Sequence, residues 1–188
     1  LELNLINGRL RLDSQDSNYS YGRLQKVLEK GLSHIWNPAW QRILILGLGG
    51  GSVVVSLRKK FGFRGIVDAV EADPVCLNLA KETFLILDKY QPINVYLNRA
   101  EDFLSNTNTK WDCIIMDVFV NNSVPAACLE ENFVLKLIQY LTPTGTALIN
   151  VILPQEKACL EAVFQLNRVP HTILRTDENF LFILPSHG

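Results

Sequence analysis

Three features of the 188-residue sequence have residue types and spacing suited to chemistry. The first is Gly47-Leu48-Gly49-Gly50-Gly51-Ser52, which continues the apolar run RILILGL (42–48). Glycines here allow a tight strand-to-helix turn. Backbone N–H groups and the positive end of a helix then face a ligand with no Cβ in the way. The second is Glu71, which lies near the end of the next apolar run, GIVDAVEA (65–72), 20 residues after Gly51. A carboxylate closing a second strand can accept two hydrogen bonds from a ribose diol. The third is Asp117, which follows Ile114, Ile115 and Met116 in WDCIIMDVF (111–119) and so reaches the C-terminal edge of a buried strand. Ligands and reacting groups gather at that edge of an open α/β sheet. The competing reading has Asp117 capping the turn that follows it. Turn and Glu71 together point to a nucleoside-containing ligand, against a glycine turn kept for packing alone.

Other chemistries fail on residue type. The nicotinamide or flavin fingerprint G-x-G-x-x-G would need glycine at position 52, where the chain has serine, and a Walker loop would need Gly-Lys-Ser/Thr after the turn. Three histidines without cysteine or acidic partners at ligand spacing give no zinc pattern. Cysteines 76, 113, 128 and 159 show no CxxC pair and read as ordinary buried thiols of a reduced, cytoplasmic protein. Arg58, Lys59, Lys60 and Arg64 cluster without interleaved aromatics in a chain of net charge −1, so they read as a solvated helix end rather than a nucleic-acid contact. With 48% hydrophobic and 20% charged residues the chain is not a disordered one. Its longest nearly apolar run, 43–57, is 15 residues interrupted by glycines, too short for a bilayer.

The elements that must position these residues alternate. Strand-like runs at 42–48, 65–72, 93–98, 111–119 and 146–152 are each followed by a helical pattern. The first helix ends at Gly62, the next opens at Pro74, and later ones cover 100–106, 129–141 and 156–167, with TPTG (142–145) as a connecting turn. Apolar runs without alternation imply a parallel sheet covered on both faces. HTILRT and NFLFILP, joined by Asp177 and Glu178, imply a closing antiparallel hairpin, giving one seven-stranded sheet over 42–184. Residues 1–22 read as a strand or hairpin and an irregular segment. Leu24, Val27, Leu28, Gly31 and His34 have helical spacing, and Trp36 and Trp40 read as wedges covering the sheet.

ILILGLGGGS, VDAVEADP, RAEDFL and KWDCIIMDVF resemble the class I AdoMet-dependent methyltransferase superfamily, and more closely its spermidine-synthase-like branch. The resemblance implies a Rossmann-like α/β fold with sheet order 3-2-1-4-5-7-6. It implies a single AdoMet-binding domain over 1–188, in which 1–40 is an arm and helix covering the site and 41–188 the sheet core. By the same likeness, Gly47, Leu48, Gly49, Gly50 and Gly51 lie against the methionine part of the cofactor, and Glu71 and Ala72 hold the ribose. Glu71→Ala should then weaken AdoMet binding while leaving the free protein's melting little changed. Family members carry Gly-Asp before alanine or glycine at the end of strand three, to read adenine. This chain has Asn98-Arg99-Ala100, so the reader becomes Asn98, Glu101, Asp102 or backbone. Glu101 and Asp102 equally suit a negatively charged first helical turn.

In polyamine aminopropyltransferases an Asp-Ser-Ser-Asp motif falls at Asp117, its first aspartate the base or orienter. Here the second acid is replaced by Val120, with Val118 and Phe119 between. The resemblance therefore implies an AdoMet-dependent transferase, a methyltransferase acting on an unidentified acceptor, with Asp117 catalytic and also beside the cofactor. The alternatives are a polyamine aminopropyltransferase using decarboxylated AdoMet, and a non-catalytic nucleoside-binding or protein-interaction module. Tyr19, Tyr21, Phe119 and Asn121 are the candidates for the substrate mouth. The tyrosines equally suit an arm packed beside the sheet, and Asn121 an ordinary turn. Partners are then a small-molecule or unidentified acceptor, with room for a homodimer and no membrane or nucleic acid.

Overall fold

The computed structural model describes only the backbone of residues 2–6, 9–13, 18–20 and 23, and all of 24–84, 86–176 and 178–185. Strands β1 (Glu2–Ile6), β2 (Arg9–Asp13) and β3 (Asn18–Ser20) form a small antiparallel sheet. Helix α1 (Arg23–Ile35) leads to β4 (Arg42–Leu46), α2 (Ser52–Lys59), β5 (Ile66–Glu71) and α3 (Pro74–Asn78), which runs on as a π-helical turn. Then come α4 (Ile86–Lys89), β6 (Ile93–Leu97), α5 (Ala100–Ser105), β7 (Trp111–Met116), α6 (Glu131–Gln139), β8 (Leu141–Val151), α7 (Pro154–Leu166), β9 (Thr172–Arg175) and β10 (Phe180–Pro185).

The large sheet has the order β6-β5-β4-β7-β8-β10-β9, the anticipated 3-2-1-4-5-7-6 once the strands are counted from β4. β6, β5, β4, β7 and β8 pair in parallel, and β10 runs antiparallel to both β8 and β9. Successive strand residues point to opposite faces. Leu44, Leu46, Ile114 and Met116 pack under the face covered by α6 and α7, and Ile43, Ile45, Cys113 and Ile115 under the face covered by α1 and α2. Each such side chain is fully buried and worth roughly 1.5–3 kcal/mol on folding. This is why the runs show no alternation. β8 begins earlier than expected, because Leu141 pairs with Trp111 before the register jumps to Cys113 and Thr146, so TPTG lies within the strand.

Some features depart from the sequence reading. Arg58 is not solvated: its guanidinium is buried, donating to the carbonyls of Phe63 and Gly65 at 2.9 Å each and of Pro92 at 2.7 Å. Cys159 is exposed, whereas the other three cysteines are buried. His34 is exposed on the last turn of α1. Trp36 and Trp40 do act as wedges, edge-on at 5.3 Å and joined by Phe61 and Phe63. Asp177 lies outside the described residues.

Asp68 of β5 is the most heavily bonded acid in the sheet. It takes Arg42 Nε at 2.6 Å, Asn94 Nδ2 at 2.8 Å and the Trp111 indole N–H at 2.8 Å. Burial pushes its pKa up, but the bonds from Arg42, Asn94 and Trp111 outweigh it and hold the carboxyl below its ordinary value. A depressed folded pKa gives stability that is present above the unfolded value and lost as pH falls through the folded one. Melting measured between pH 6 and pH 2.5 is therefore expected to drop most steeply below about pH 4, and the drop should be shallower in Asp68→Asn. Parallel melting curves for the two proteins would contradict this.

Candidate functional site

β4 ends at Leu46, and the chain turns back at once. Gly47, Gly49 and Gly51 take φ of 89°, 52° and 81°, in the left-handed region where a side chain is strained. The N–H groups of Gly47 and Leu48 both donate to Val70 O, at 2.9 and 3.1 Å, tying the turn to β5. A Cβ at Gly47 would collide with the backbone carbonyl of Asp117, and one at Gly51 would come within 2.5 Å of Ile86. The turn therefore needs glycine at both positions. Ser52 then opens α2.

Glu71 faces this turn. Its Oε2 accepts from Gly49 N at 2.8 Å and its Oε1 from Asp73 N at 2.9 Å. Burial pushes its pKa up against those backbone bonds. Ala72 N–H also bears on the carboxylate, whose remaining acceptor capacity is still open to an outside hydroxyl. The carboxylate also staples the glycine turn to the end of β5. Its removal is therefore expected to loosen the turn in the free protein, more than the little change expected from the sequence alone.

Asp117 follows β7, its N–H donating to Leu46 O at 2.9 Å. Its Oδ1 accepts from Asn150 Nδ2 at 2.8 Å, a side chain across the sheet rather than a backbone N–H of the following turn. Burial pushes the carboxyl up to about 6, partly opposed by the Asn150 bond. Beyond it, Asn121 and Asn122 take φ of 49° and 63° in a tight turn closed by Val120 and Ser123. Buried Glu156 anchors that turn, accepting from Ser123 Oγ at 2.9 Å, Val124 N at 2.7 Å and Leu153 N at 3.1 Å.

These elements enclose a cleft of about 570 Å³ at the C-terminal edge of the sheet. Gly47, Leu48, Gly49, Glu71, Ala72, Asn98, Arg99, Ala100, Asp117 and Phe119 all line it. Gly50 and Gly51 do not: Gly51 shapes the turn from behind. Asn122 takes the place foreseen for Asn121, because in a two-residue turn adjacent side chains leave in different directions. Asn98 and Glu101 are in the wall and Asp102 is exposed outside it, which narrows the side-chain candidates for a base reader to the first two. Arg99 is not a free cation, since its Nε donates to Glu101 Oε1 at 2.6 Å. Val120, where a second acid was missing, stands on the rim with 57% of its surface exposed. Leu24 of α1 also lines the cleft. Tyr21 and the side chain of Tyr19 lie outside the described residues.

Asn150, Asn179 and Glu156 were missed in the sequence reading. A signal existed for the first, a lone amide inside the apolar run TALINVI. Among the described residues no helix is long and apolar enough to cross a membrane.

No family model matches the chain. It is 29% identical over 163 residues to the polyamine aminopropyltransferase of Vibrio vulnificus (strain CMCP6), covering 81% of this chain and 52% of the relative. It is 26% identical over 156 residues to the eEF1A lysine and N-terminal methyltransferase of Homo sapiens, covering 74% of this chain and 22% of the relative. The chain thus spans about half the length of the first relative and less of the second. In structure it resembles human methyltransferase-like protein 13 in complex with SAH, with a TM-score of 0.73, 23% identity and coverage of 89% of this chain and 84% of that one.

Proposed function

We propose that this chain, which carries the class I AdoMet-dependent methyltransferase fold and shares sequence with both methyltransferase and aminopropyltransferase relatives, binds AdoMet in the cleft and transfers its methyl group to an acceptor. One observation carries the reading. The glycine turn, Glu71 and Asp117, on three neighbouring strands, line a single cleft at the C-terminal edge of the sheet. The residues fit the cofactor: a Cβ-free turn for its amino acid part, the remaining acceptor capacity of Glu71 for the ribose, and Asn98 and Glu101 beside Ala100 for the base. When bound, AdoMet supplies an electrophilic methyl carbon on a sulfonium. The protein aligns the acceptor, keeps its field favourable to the neutral thioether and takes up a proton at Asp117. The free cysteines favour a reducing, cytoplasmic setting. Of the basic cluster, Arg58 is buried and Lys60 is paired with Glu29 at 2.7 Å, which leaves Lys59 and Arg64 exposed, a small footprint for nucleic acid, and the acceptor is a small molecule or a protein group. The reading places residues 1–40 over the site and leaves room for a homodimer.

The Vibrio relative favours aminopropyl transfer as a second reading. Against it, Val120 leaves the acceptor side without the second acid that would hold a cationic amine. Calorimetry with AdoMet, its decarboxylated form and SAH separates the two. AdoMet and SAH should bind, and decarboxylated AdoMet more weakly. Tighter binding of the decarboxylated form, together with transfer to putrescine, would establish the second reading instead.

Glu71→Ala should weaken AdoMet at least tenfold, about 1.4 kcal/mol. It should also lower the free protein's melting point, since Gly49 N and Asp73 N each lose an acceptor worth about 1 kcal/mol. Equal affinity in wild type and variant would remove Glu71 from the cofactor site.

A further inference from the structure

Among the described residues, the closing hairpin supplies none to the cleft wall, yet it is wired to Asp117. Asn150 lies in β8 among Leu148, Ile149 and Val151 and is fully buried. While its Nδ2 donates to Asp117, its Oδ1 accepts from Asn179 Nδ2 at 3.0 Å. Asn179, also buried, is clamped by Thr176: Asn179 N donates to Thr176 Oγ1 at 3.1 Å, and Thr176 N to Asn179 O at 2.9 Å. Two amides buried in an apolar sheet are costly unless paired, and this pairing has a direction.

An ionised carboxylate only accepts. Asn150 must therefore turn its NH₂ to Asp117 and its carbonyl to Asn179, and Asn179 must answer with its own NH₂. Turning one amide alone sets like against like at a contact. A proton on Asp117 Oδ1 would oppose the Asn150 NH₂ if it took the lone pair that Asn150 uses, and would weaken that oxygen as an acceptor if it took the other. Asp117 lines the cleft and its bond to Asn150 is made through Oδ1, so a proton arriving on Oδ2 disturbs neither amide.

We propose that Asn150 and Asn179 are positioning residues: a two-amide relay from the hairpin that fixes the Asp117 side chain, keeps Oδ1 occupied and makes Oδ2 the atom that receives the acceptor's proton. The proposal rests on the methyl-transfer reading. In that step the acceptor heteroatom's lone pair forms the bond to the methyl carbon, and the C–S pair stays on sulfur as a neutral thioether. The acceptor's proton passes to Oδ2. Among the described residues, the other ionisable groups at the cleft are Glu71 at the end of β5, Asp73 just after it, Arg99 capping α5 and Glu101 in its first turn. Glu156 stands behind, at α7, while the turn from Leu46 to Ser52 and the end of β8 carry none.

Carbon-13 NMR of the aspartate carboxyls in the ligand-free full chain tests this, the Asp117 signal being assigned by its loss in Asp117→Asn. Asn150→Leu should move the Asp117 midpoint upward by about 0.5 or more, since a donor to the charged form is gone. Asn179→Ala should move it upward by less, although Asn179 touches no atom of Asp117, and Asn179→Gln should restore part of the change. Should Asn150→Leu fail to fold, the two Asn179 variants decide. A midpoint unmoved by Asn179→Ala, with only the melting point lowered, would reduce the relay to packing and overturn the proposal. The titration is read without AdoMet, so its failure is distinct from that of the methyl-transfer reading, which would show as wild type that binds no AdoMet.

Discussion

Asp117→Asn is expected to leave AdoMet affinity within about threefold and to cut methyl transfer by about 10²-fold or more, the usual scale of acid–base assistance. Loss of charge is half the reason. Asn150 offers Asp117 an NH₂, so an asparagine at 117 must answer with its carbonyl, which turns its own NH₂ toward the cleft. A donor then stands where the proton should be received. Since burial holds Asp117 near 6, wild-type transfer should rise with pH through about 6 and the variant's residual rate should not. The sign for stability is opposite. A carboxyl whose folded pKa lies above its unfolded value of 3.8 loses stability as pH rises between the two. The free Asp117→Asn protein should therefore melt higher at pH 7, a gain that fades toward pH 4. Product trapping with methyl-labelled AdoMet, cell extract and candidate amines and acids supplies the acceptor for the rate measurement. Undiminished label transfer in the variant would remove Asp117 from the mechanism.

What the sequence disclosed and what it hid divide along one physical line. The glycine turn, Glu71 and Asp117 were legible because each is a local event, the end of an apolar run with a turn residue or acid at a fixed offset. The strands were legible because burial on both faces erases alternation. Their order came from family likeness, as periodicity carries no information about neighbours. Asn150 and Asn179 were hidden because they meet only through the β8–β10 register, where Leu181 stands opposite Asn150. Arg58 was misread for the same reason. Its partners are carbonyls at Phe63, Gly65, Tyr90 and Pro92, and composition cannot tell a cation caged by distant carbonyls from one facing water. Asn121 and Asn122 show the finer limit: their turn was foreseeable, but which of the two faces the cleft depends on backbone geometry.

Gly47→Ala should be the most damaging single methyl group that can be added to the site. At φ of 89° any side chain is strained, at about 1 kcal/mol or somewhat more. Here the new carbon would also run into the backbone carbonyl of Asp117. Backbone cannot rotate aside as a flexible side chain would, so β4 and β7 must part at their C-terminal ends, where the Asp117 N–H bonds Leu46 O. The expected cost is about 3 kcal/mol or more, a melting point lower by about 6–12 °C. AdoMet affinity should fall by about 10²-fold, because the turn and Asp117 are displaced together. Gly62→Ala provides the control. Gly62 has φ of 67°, but its Cβ would meet nothing within 4 Å, so the strain is present without the collision. That variant should lose about 1 kcal/mol and bind AdoMet normally. If both variants melt alike and bind alike, the collision is relieved at no cost. The close approach of Gly47 to Asp117 would then not be what holds the two halves of the site in register.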